Sequence, residues 1–190
     1  MTVRMIVLTL VVLAAPMLAY SQDGSASNSP RPRFEPVPIV EVLDAVRRND
    51  DRSFLIDHRV PPVIVIGQAS LRDIDYNTLL IVLRNNDLAA VRVDDIVNVI
   101  PASIVRHYPL PVISAEDDSI HDEEWVTWII QTENAPPESI VPIIRPIMPA
   151  AGHFAANPGS QSMLLVDRYG NAKRIVALIR QFDAATPPQN

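Results

Sequence analysis

The stretch from residue 125 to residue 148 reads WVTWIIQTENAPPESIVPIIRPIM. Its first part, Val126 to Gln131, is rich in β-branched and aromatic residues and predicts a strand. Pro136 and Pro137 then open a helix, because a missing N–H is tolerated in a first turn. The helix carries a wide apolar stripe, formed by Ile140, Val141, Ile143, Ile144, Ile147 and Met148. A strand followed closely by an amphipathic helix is typical of a small α+β unit.

Two further prolines lie inside this helix. An interior proline deletes a backbone hydrogen bond and can cost about 3 kcal/mol. Pro142 falls within the opening turns, where the loss is tolerable, whereas Pro146 is expected to kink or end the helix. Pro149 closes the helical pattern.

The residues that follow complete this unit. His153 to Ala156 and Ser162 to Val166 flank a Pro158-Gly159 turn, which predicts a β-hairpin. Asn171 is the expected cap of a last helix. The side chains of that helix expected to face inward are Ala172, Ile175, Val176, Ile179 and Phe182. The predicted order is strand, helix, strand, strand, helix.

Residues 34–101 predict another unit of the same kind. Two helices are indicated by apolar residues at helical spacing, and Asp73 or Asp75 is the expected cap of the second. Short strands are predicted on both sides of these helices, in the order strand, helix, strand, strand, helix, strand, strand. The helical stripes are Ile39, Val42, Leu43 and Val46, then Tyr76, Leu79, Leu80 and Leu83. The strands are Phe54–Ile56, Val63–Ile66, Leu88–Val93 and Ile96–Ile100.

Together these patterns predict an α+β protein with two small domains, each a short mixed sheet covered by two helices. We call residues 34–101 the first unit and residues 125–184 the second unit. Between them we expect a linker segment, residues 102–124, and after them a short tail, residues 185–190. At about 60–70 residues, each unit is near the lower limit for independent folding.

The linker segment ends in a run of charge. Residues 116–124 contain six carboxylates and one imidazole, from His121. A calcium loop would need a glycine for its sharp turn and ligands at alternate positions, and neither is present. We therefore interpret the run as a solvated, self-repelling spacer in preference to a cation site.

The first 21 residues have the features of a secretory signal peptide. Arg4 provides the positive charge, an apolar run follows, and small residues precede an expected cleavage after Ser21. The alternative is an uncleaved membrane anchor, but the apolar stretch is shorter than the roughly 20 residues of a span. Residues 22–33 predict a flexible leader. We expect an exported protein.

Composition excludes several classes of function. The 190 residues carry 22 acidic and 16 basic side chains, a net charge of −6, which argues against nucleic acid as a partner. With no cysteine, disulfides, thiolate zinc sites and cysteine nucleophiles are excluded. No nucleophile elbow, phosphate-binding loop or paired metal-ligating histidines are present. We therefore expect no enzyme activity, no catalytic residue, no cofactor, no metal and no small-molecule substrate.

One arrangement keeps an enzyme open as an alternative. Asp57-His58 beside Ser53 could be parts of a catalytic triad. Adjacent strand residues point to opposite faces, so Asp57 is poorly placed to orient His58. Turnover that is lost on substitution of Asp57 or His58 would revive this reading.

Both units resemble periplasmic domains of the secretins of type II secretion systems (general secretion pathway protein D). In the first unit the resemblance is carried by Ile56-Asp57, Val60, Leu83-Arg84 and Val99-Ile100-Pro101, although His58 and Pro62 depart from the usual proline and glycine. The second unit resembles the repeated domain that follows in these proteins. There the matching stretches are Glu138–Pro149, Gly152–Asn157, Met163–Arg168, Asn171, Arg174-Ile175 and Asp183.

The resemblance implies a function through contact with other proteins. In that family these domains stack as rings in the periplasm, and the first contacts the inner-membrane platform of the secretion machine. We expect a periplasmic partner of a platform protein, in a ring with itself or with a full-length secretin. Secretins continue with further domains and an outer-membrane barrel, whereas this sequence ends at Asn190, so we expect no channel of its own. The alternative is a stand-alone periplasmic adaptor or signalling domain of the same fold.

The expected binding mode is pairing at a strand edge together with apolar side-chain contacts. The candidate interaction residues are Val63, Ile64, Val65 and Ile66, an entirely β-branched run. The alternative is that this strand is central and buried.

Overall fold

A computed structural model describes residues 36–67 and 69–188. The expected signal peptide and leader lie outside the described residues. No helix in the described ranges combines the length and the apolar character needed to cross a bilayer.

The helices and strands of the first unit pack around one apolar cluster. The stripes predicted on its two helices are buried in that cluster, and Asp75 caps the second helix by accepting a hydrogen bond from the Thr78 N–H at 2.7 Å. The predicted order of elements is confirmed. The elements are β1 (Pro36–Pro38), α1 (Ile39–Asn49), β2 (Ser53–Ile56), β3 (Val63–Val65), α2 (Tyr76–Asn85), β4 (Leu88–Val93) and β5 (Ile96–Pro101).

The strands of the first unit form two sheets, where a single short sheet was predicted. β1 and β3 make an antiparallel ribbon, and β2, β5 and β4 make a three-stranded sheet in that order. Within the three-stranded sheet, β2 runs parallel and β4 antiparallel to β5. Periodicity shows which residues are buried but not which strand pairs with which, and this accounts for the difference.

The second unit has the predicted order of strands and helices. Its sheet contains four strands in the order β6-β7-β9-β8, and β6, which pairs parallel to β7, comes from the linker segment. Trp128, Leu165 and Ile175 lie at the centre of the core. The elements are β6 (Val112–Ile113), β7 (Trp125–Gln131), α3 (Pro137–Ile144), β8 (His153–Asn157), β9 (Ser162–Arg168) and α4 (Tyr169–Ala185).

The structure corrects three expectations in the helices of the second unit. Although α3 ends at Ile144, before Pro146 as expected, Ile143 and Ile147 of its stripe are exposed. Asn171 does not cap α4, since the helix begins at Tyr169 and the Asn171 side chain donates to Asp167. Phe182 is exposed as well. The apolar stripe of each helix is therefore wider than the face that is buried in the core.

The linker segment is more structured than a spacer. It forms a 3₁₀ helix at Ala102–His107 before β6, and Val105 and Leu110 are buried. These side chains belong to a third apolar cluster, which joins the outer face of the β4–β5 hairpin to the second unit. Its buried members are Ala89, Val91, Ile100, Ala102, Val105, Leu110, Trp125 and Val166.

Candidate interaction surface

The candidate residues 63–66 lie on the antiparallel ribbon formed by β1 and β3. Pro36 pairs with Val65, Val37 with Ile64 and Pro38 with Val63. Side chains alternate along a strand, so Ile64 points into the core and is 2% exposed, whereas Val63 and Val65 are 46% and 40% exposed. Ile66 follows the strand and packs partly against the core. The run is thus neither fully buried nor fully exposed.

The free edge of β3 is already occupied at Val65. The Asn86 side chain, just after α2, accepts a hydrogen bond from the Val65 N–H at 2.9 Å and donates one to the Val65 carbonyl at 2.8 Å. The same amide nitrogen also donates to the Val82 carbonyl. Because both backbone groups of Val65 bind Asn86, an added strand would have to displace this side chain.

The other edge of the ribbon lacks donors. Because Val65 directs its backbone groups to Asn86, the alternation of an antiparallel pair turns those of Ile64 toward Val37. Pro36 and Pro38 flank Val37 and therefore face outward, and proline has no N–H to offer. Proline on an edge strand is a common means of preventing strand addition.

These two edges change the expected chemistry of the surface. Strand pairing is blocked at Val65 on one side and by prolines on the other, so the apolar side chains of Val63 and Val65 are what the ribbon offers. The binding role of residues 63–66 stays a prediction. The expected binding mode is now contact through the side chains of Val63 and Val65, while Ile64 packs in the core.

A second apolar surface lies on the outer face of the three-stranded sheet, and sequence reasoning missed it. Leu55 on β2 is 56% exposed, and Ile96 on the adjacent β5 and Val93 on β4 are also exposed. Register places Val93 opposite Ile96, and Leu55 one diagonal step away opposite Asn98. The sequence pattern that could have indicated it is the alternation of side chains in β2. Because Phe54 points into the core, Leu55 must point to the outer face.

The Asp57-His58 pair does not form the start of a triad. The Asp57 carboxylate takes hydrogen bonds from the Arg59 side chain at 2.8 Å and from the Arg59 backbone N–H at 2.9 Å. These bonds, the side-chain ones first, hold the pKa of Asp57 well below its ordinary value. His58 Nδ1 lies 3.6 Å from the carboxylate, beyond hydrogen-bond distance, and its ring is exposed. Asp57 thus positions Arg59.

The acidic run contributes to a junction between the two units. Glu123 Oε1 accepts a hydrogen bond from Arg84 Nη1 at 2.7 Å, and its Oε2 lies 3.5 Å from Arg168 Nε. The Tyr76 hydroxyl donates to Glu124 Oε1 at 3.2 Å, and burial, with the nearby Glu124 charge, raises the pKa of Tyr76. The prediction of a solvated spacer is therefore wrong at Glu123 and Glu124, because both pair with side chains distant in sequence.

Backbone contacts reinforce this junction. The Tyr169 N–H donates to the Glu124 carbonyl and the Gly170 N–H to the Asp122 carbonyl, each at 2.8 Å. The Tyr169 hydroxyl accepts from the Asp117 N–H. Across residues 36–67 and 69–188, no set of three or more acidic or imidazole side chains converges as metal ligands would. Within the run, the side chains of Glu123 and Glu124 therefore serve contact between the units.

Comparison with known proteins finds a sequence relative of this chain. No family model matches the sequence. The chain is 29% identical over 148 residues to the secretin XcpQ of Pseudomonas aeruginosa, a match that covers 76% of this chain and 21% of that protein. The chain thus spans about a fifth of the length of the curated relative that it matches.

A solved structure supports the fold. It is a Klebsiella pneumoniae type II secretion system outer membrane complex that contains PulD, PulS and the PulC HR domain. The match has a TM-score of 0.65 and 21% sequence identity, and covers 80% of this chain and 26% of the other. The predicted resemblance to secretins is confirmed by the sequence match to XcpQ, and the chain is similar to about a fifth of that protein.

Proposed function

We propose that this protein is a non-catalytic, periplasmic interaction component of a type II secretion system. The observation that carries the proposal is the 29% identity to the secretin XcpQ, which extends over 76% of the chain. A match of that extent is longer than either unit, so it includes residues from both. The secretion role is therefore assigned to the two units together.

The surfaces of the first unit support a docking role. Two exposed apolar areas, the ribbon pair Val63 and Val65 and the strip around Leu55, lie on a unit whose helices are packed inward. Exposed β-branched and aliphatic side chains grouped on one element are typical of a protein-binding surface. We propose that the ribbon contacts an inner-membrane platform protein.

The junction supports a role that needs fixed geometry. Arg84, Glu123 and Arg168 connect the two units by charge, and the apolar cluster around Trp125 connects them by packing. Units held in one orientation can present several surfaces to neighbours in a ring at the same time. We propose that this protein joins a ring, either with copies of itself or with a full-length secretin.

The test is capture of the secretion platform by the ribbon. The tagged chain is expressed in its own host, crosslinked in the envelope and purified, with Val63→Asp and Val65→Asp as variants and Val40→Asp as control. Val40 on α1 is similarly exposed but lies off the ribbon. Circular dichroism reports whether each variant keeps its fold.

We expect wild type and the Val40 variant to co-purify with an inner-membrane secretion subunit, and the ribbon variants to lose it while staying folded. A strictly monomeric wild-type chain without any secretion subunit would contradict the proposal and favour the stand-alone adaptor. Turnover of any substrate that depends on Asp57 or His58 would contradict the non-catalytic assignment.

A further inference from the structure

A groove separates two strand edges, one from each unit. It has a volume of about 250 Å³ and lies between β4 of the three-stranded sheet and β6 of the four-stranded sheet. The walls include backbone from both strands together with apolar and charged side chains. The lining residues used below are Ala90, Arg92, Val112, Asp117, Glu124 and Trp125.

The β4 wall presents unpaired backbone groups. In the ladder with β5, Ala90 lies opposite Val99, and the Val99 carbonyl accepts from the Asp57 N–H on the far side, at 2.9 Å. Backbone direction alternates along an antiparallel pair, so Ala90 and Arg92 turn their N–H and carbonyl groups away from β5. Neither residue has a backbone partner on that side within the described residues.

The β6 wall also presents unpaired backbone groups. The Thr127 N–H of β7 donates to the Pro111 carbonyl at 2.8 Å, so Pro111 faces β7. Successive residues of a strand alternate in direction, and Val112 therefore turns its N–H and carbonyl away from β7. Its side chain is 65% exposed. Unpaired main-chain groups of Ala90 and Arg92 on one side, and of Val112 on the other, thus border one groove.

The charge of the groove is acidic. Asp117 and Glu124 line it together with a single guanidinium, from Arg92. The side-chain and backbone hydrogen bonds from Ser119 to Asp117 lower the pKa of that carboxyl, which keeps it charged. Asp117 Oδ2 takes no hydrogen bond from the described residues. A guanidinium or ammonium group entering the groove would find a free carboxylate oxygen.

Trp125 forms part of the wall of the groove. Its side chain is buried, at 2% exposure, and the indole N–H has no acceptor within the described residues. Buried indole N–H groups usually find a partner. A residue that lines the groove thus carries a buried donor without an acceptor among the described residues.

We propose that this groove binds an extended, basic segment of a partner protein by strand addition. The occupant is an extended peptide because the walls offer main-chain groups of strands. It is basic because the charged groups that border the groove are mostly carboxylates. A second copy of this chain is a poor complement, since its own net charge is −6. The proposal concerns a different surface from the ribbon and does not depend on the secretion role.

The first measurement uses a fluorescein-labelled octapeptide that alternates valine and arginine, titrated with the full chain and followed by fluorescence anisotropy. A companion peptide carries N-methyl groups on alternate backbone nitrogens. We expect the unmodified peptide to bind, and the N-methylated peptide to bind at least tenfold more weakly. Equal binding of both peptides, or binding of neither, would overturn strand addition.

The second measurement places the peptide in the groove. Val112→Pro removes the N–H that faces the groove and leaves the β6–β7 bonds intact, whereas Val112→Thr keeps that N–H and is the matched control. We expect about tenfold weaker binding for the proline variant and wild-type binding for threonine. Asp117→Asn is expected to weaken binding and reduce its dependence on salt.

Two results would overturn the assignment to this groove. One is a Val112→Pro variant, folded by circular dichroism, that binds the octapeptide as wild type does. The other is sedimentation velocity showing a wild-type dimer that the same substitution dissociates, because the occupant would then be a second copy of this chain.

Discussion

Arg84 on α2 donates from Nη1 to Oε1 of Glu123 at 2.7 Å, across 39 residues of sequence. The second oxygen of the same carboxylate faces Arg168 at the end of β9, 3.5 Å from its Nε. One largely buried carboxylate therefore lies between an arginine of the first unit and an arginine of the second. Burial already lowers the pKa of Arg168, so this guanidinium depends on a nearby anion.

Glu123→Ala is expected to destabilise the protein by about 1–3 kcal/mol, since it leaves the partly buried Arg168 without its carboxylate. Urea denaturation followed by circular dichroism measures the change. Arg47→Ala is the control, because Arg47 and Asp44 form an exposed pair at 3.9 Å, and such pairs contribute about 0–1 kcal/mol. Equal effects of the two substitutions would show that Glu123 does not stabilise the junction.

Asn86→Ala is expected to expose the edge of β3. It removes the two hydrogen bonds to Val65 and the one to Val82, for a loss of about 1–3 kcal/mol. An open strand edge also promotes association between chains, which light scattering at increasing concentration would detect. Asn85→Ala, at an exposed neighbouring position, should change neither property. A soluble Asn86 variant of wild-type stability would contradict the edge-capping role.

Gly152→Ala is expected to destabilise the second unit by about 1–3 kcal/mol through overpacking. A Cβ at Gly152 would lie 2.9 Å from the Val166 carbonyl oxygen of β9 and 2.9 Å from the Met148 methyl group. Gly159→Ala is the matched control, since its nearest neighbour would be 3.6 Å away. Thermal unfolding compares them. A midpoint for the Gly152 variant equal to that of the Gly159 variant would mean that β9 moves freely, contrary to its position between β7 and β8.

Much of the fold follows from the sequence because periodicity records burial. The stripes that begin at Ile39 and Tyr76 are buried as predicted, and Pro146 ends α3 because it cannot continue the hydrogen-bond ladder. The direction of Val63 and Val65 also follows from alternation. What periodicity does not contain is the identity of each strand's partner, so the ribbon of β1 with β3 was not predicted.

The junction could not be predicted for a similar reason. A run of carboxylates has the same composition whether it faces water or distant arginines, and the partners of Glu123 lie in α2 and β9. Short apolar groups in the linker segment, such as Val105 and Leu110, were the available sign that it packs. The hydrogen bonds between Asn86 and Val65 could not be predicted either, because these residues are 21 positions apart in sequence and only the fold brings them together.

Acid should weaken the anchor of α4. Burial would raise the pKa of Asp183, but the backbone N–H groups of Ala135, Glu133 and Asn134 donate to its carboxylate at 2.7–2.9 Å and lower it overall. A carboxyl with a lowered folded-state pKa stabilises the fold fully above its unfolded value of about 3.8. That contribution is lost as the pH falls through the lowered folded-state pKa.

Asp183→Asn is therefore expected to be less stable than wild type at neutral pH by about 1 kcal/mol. The difference should shrink below pH 3.8, where the unfolded carboxyl of wild type is protonated. Urea denaturation at a series of pH values measures the difference in the free energy of unfolding, with Asp44→Asn, an exposed position on α1, as the control. A difference in the free energy of unfolding that stays constant with pH would show that the charge of Asp183 does not stabilise the fold.

We propose that the exposed side chains of the ribbon, Val63 and Val65, contact another protein of the secretion machine. The most direct measurement is in-cell photo-crosslinking from a benzophenone amino acid at Val65, with the same probe at Val40 as the control and mass spectrometry of the products. We expect a crosslinked product with an inner-membrane secretion subunit from position 65 and none from position 40. The absence of any secretion subunit among the products from position 65, in cells that are secreting, would contradict it.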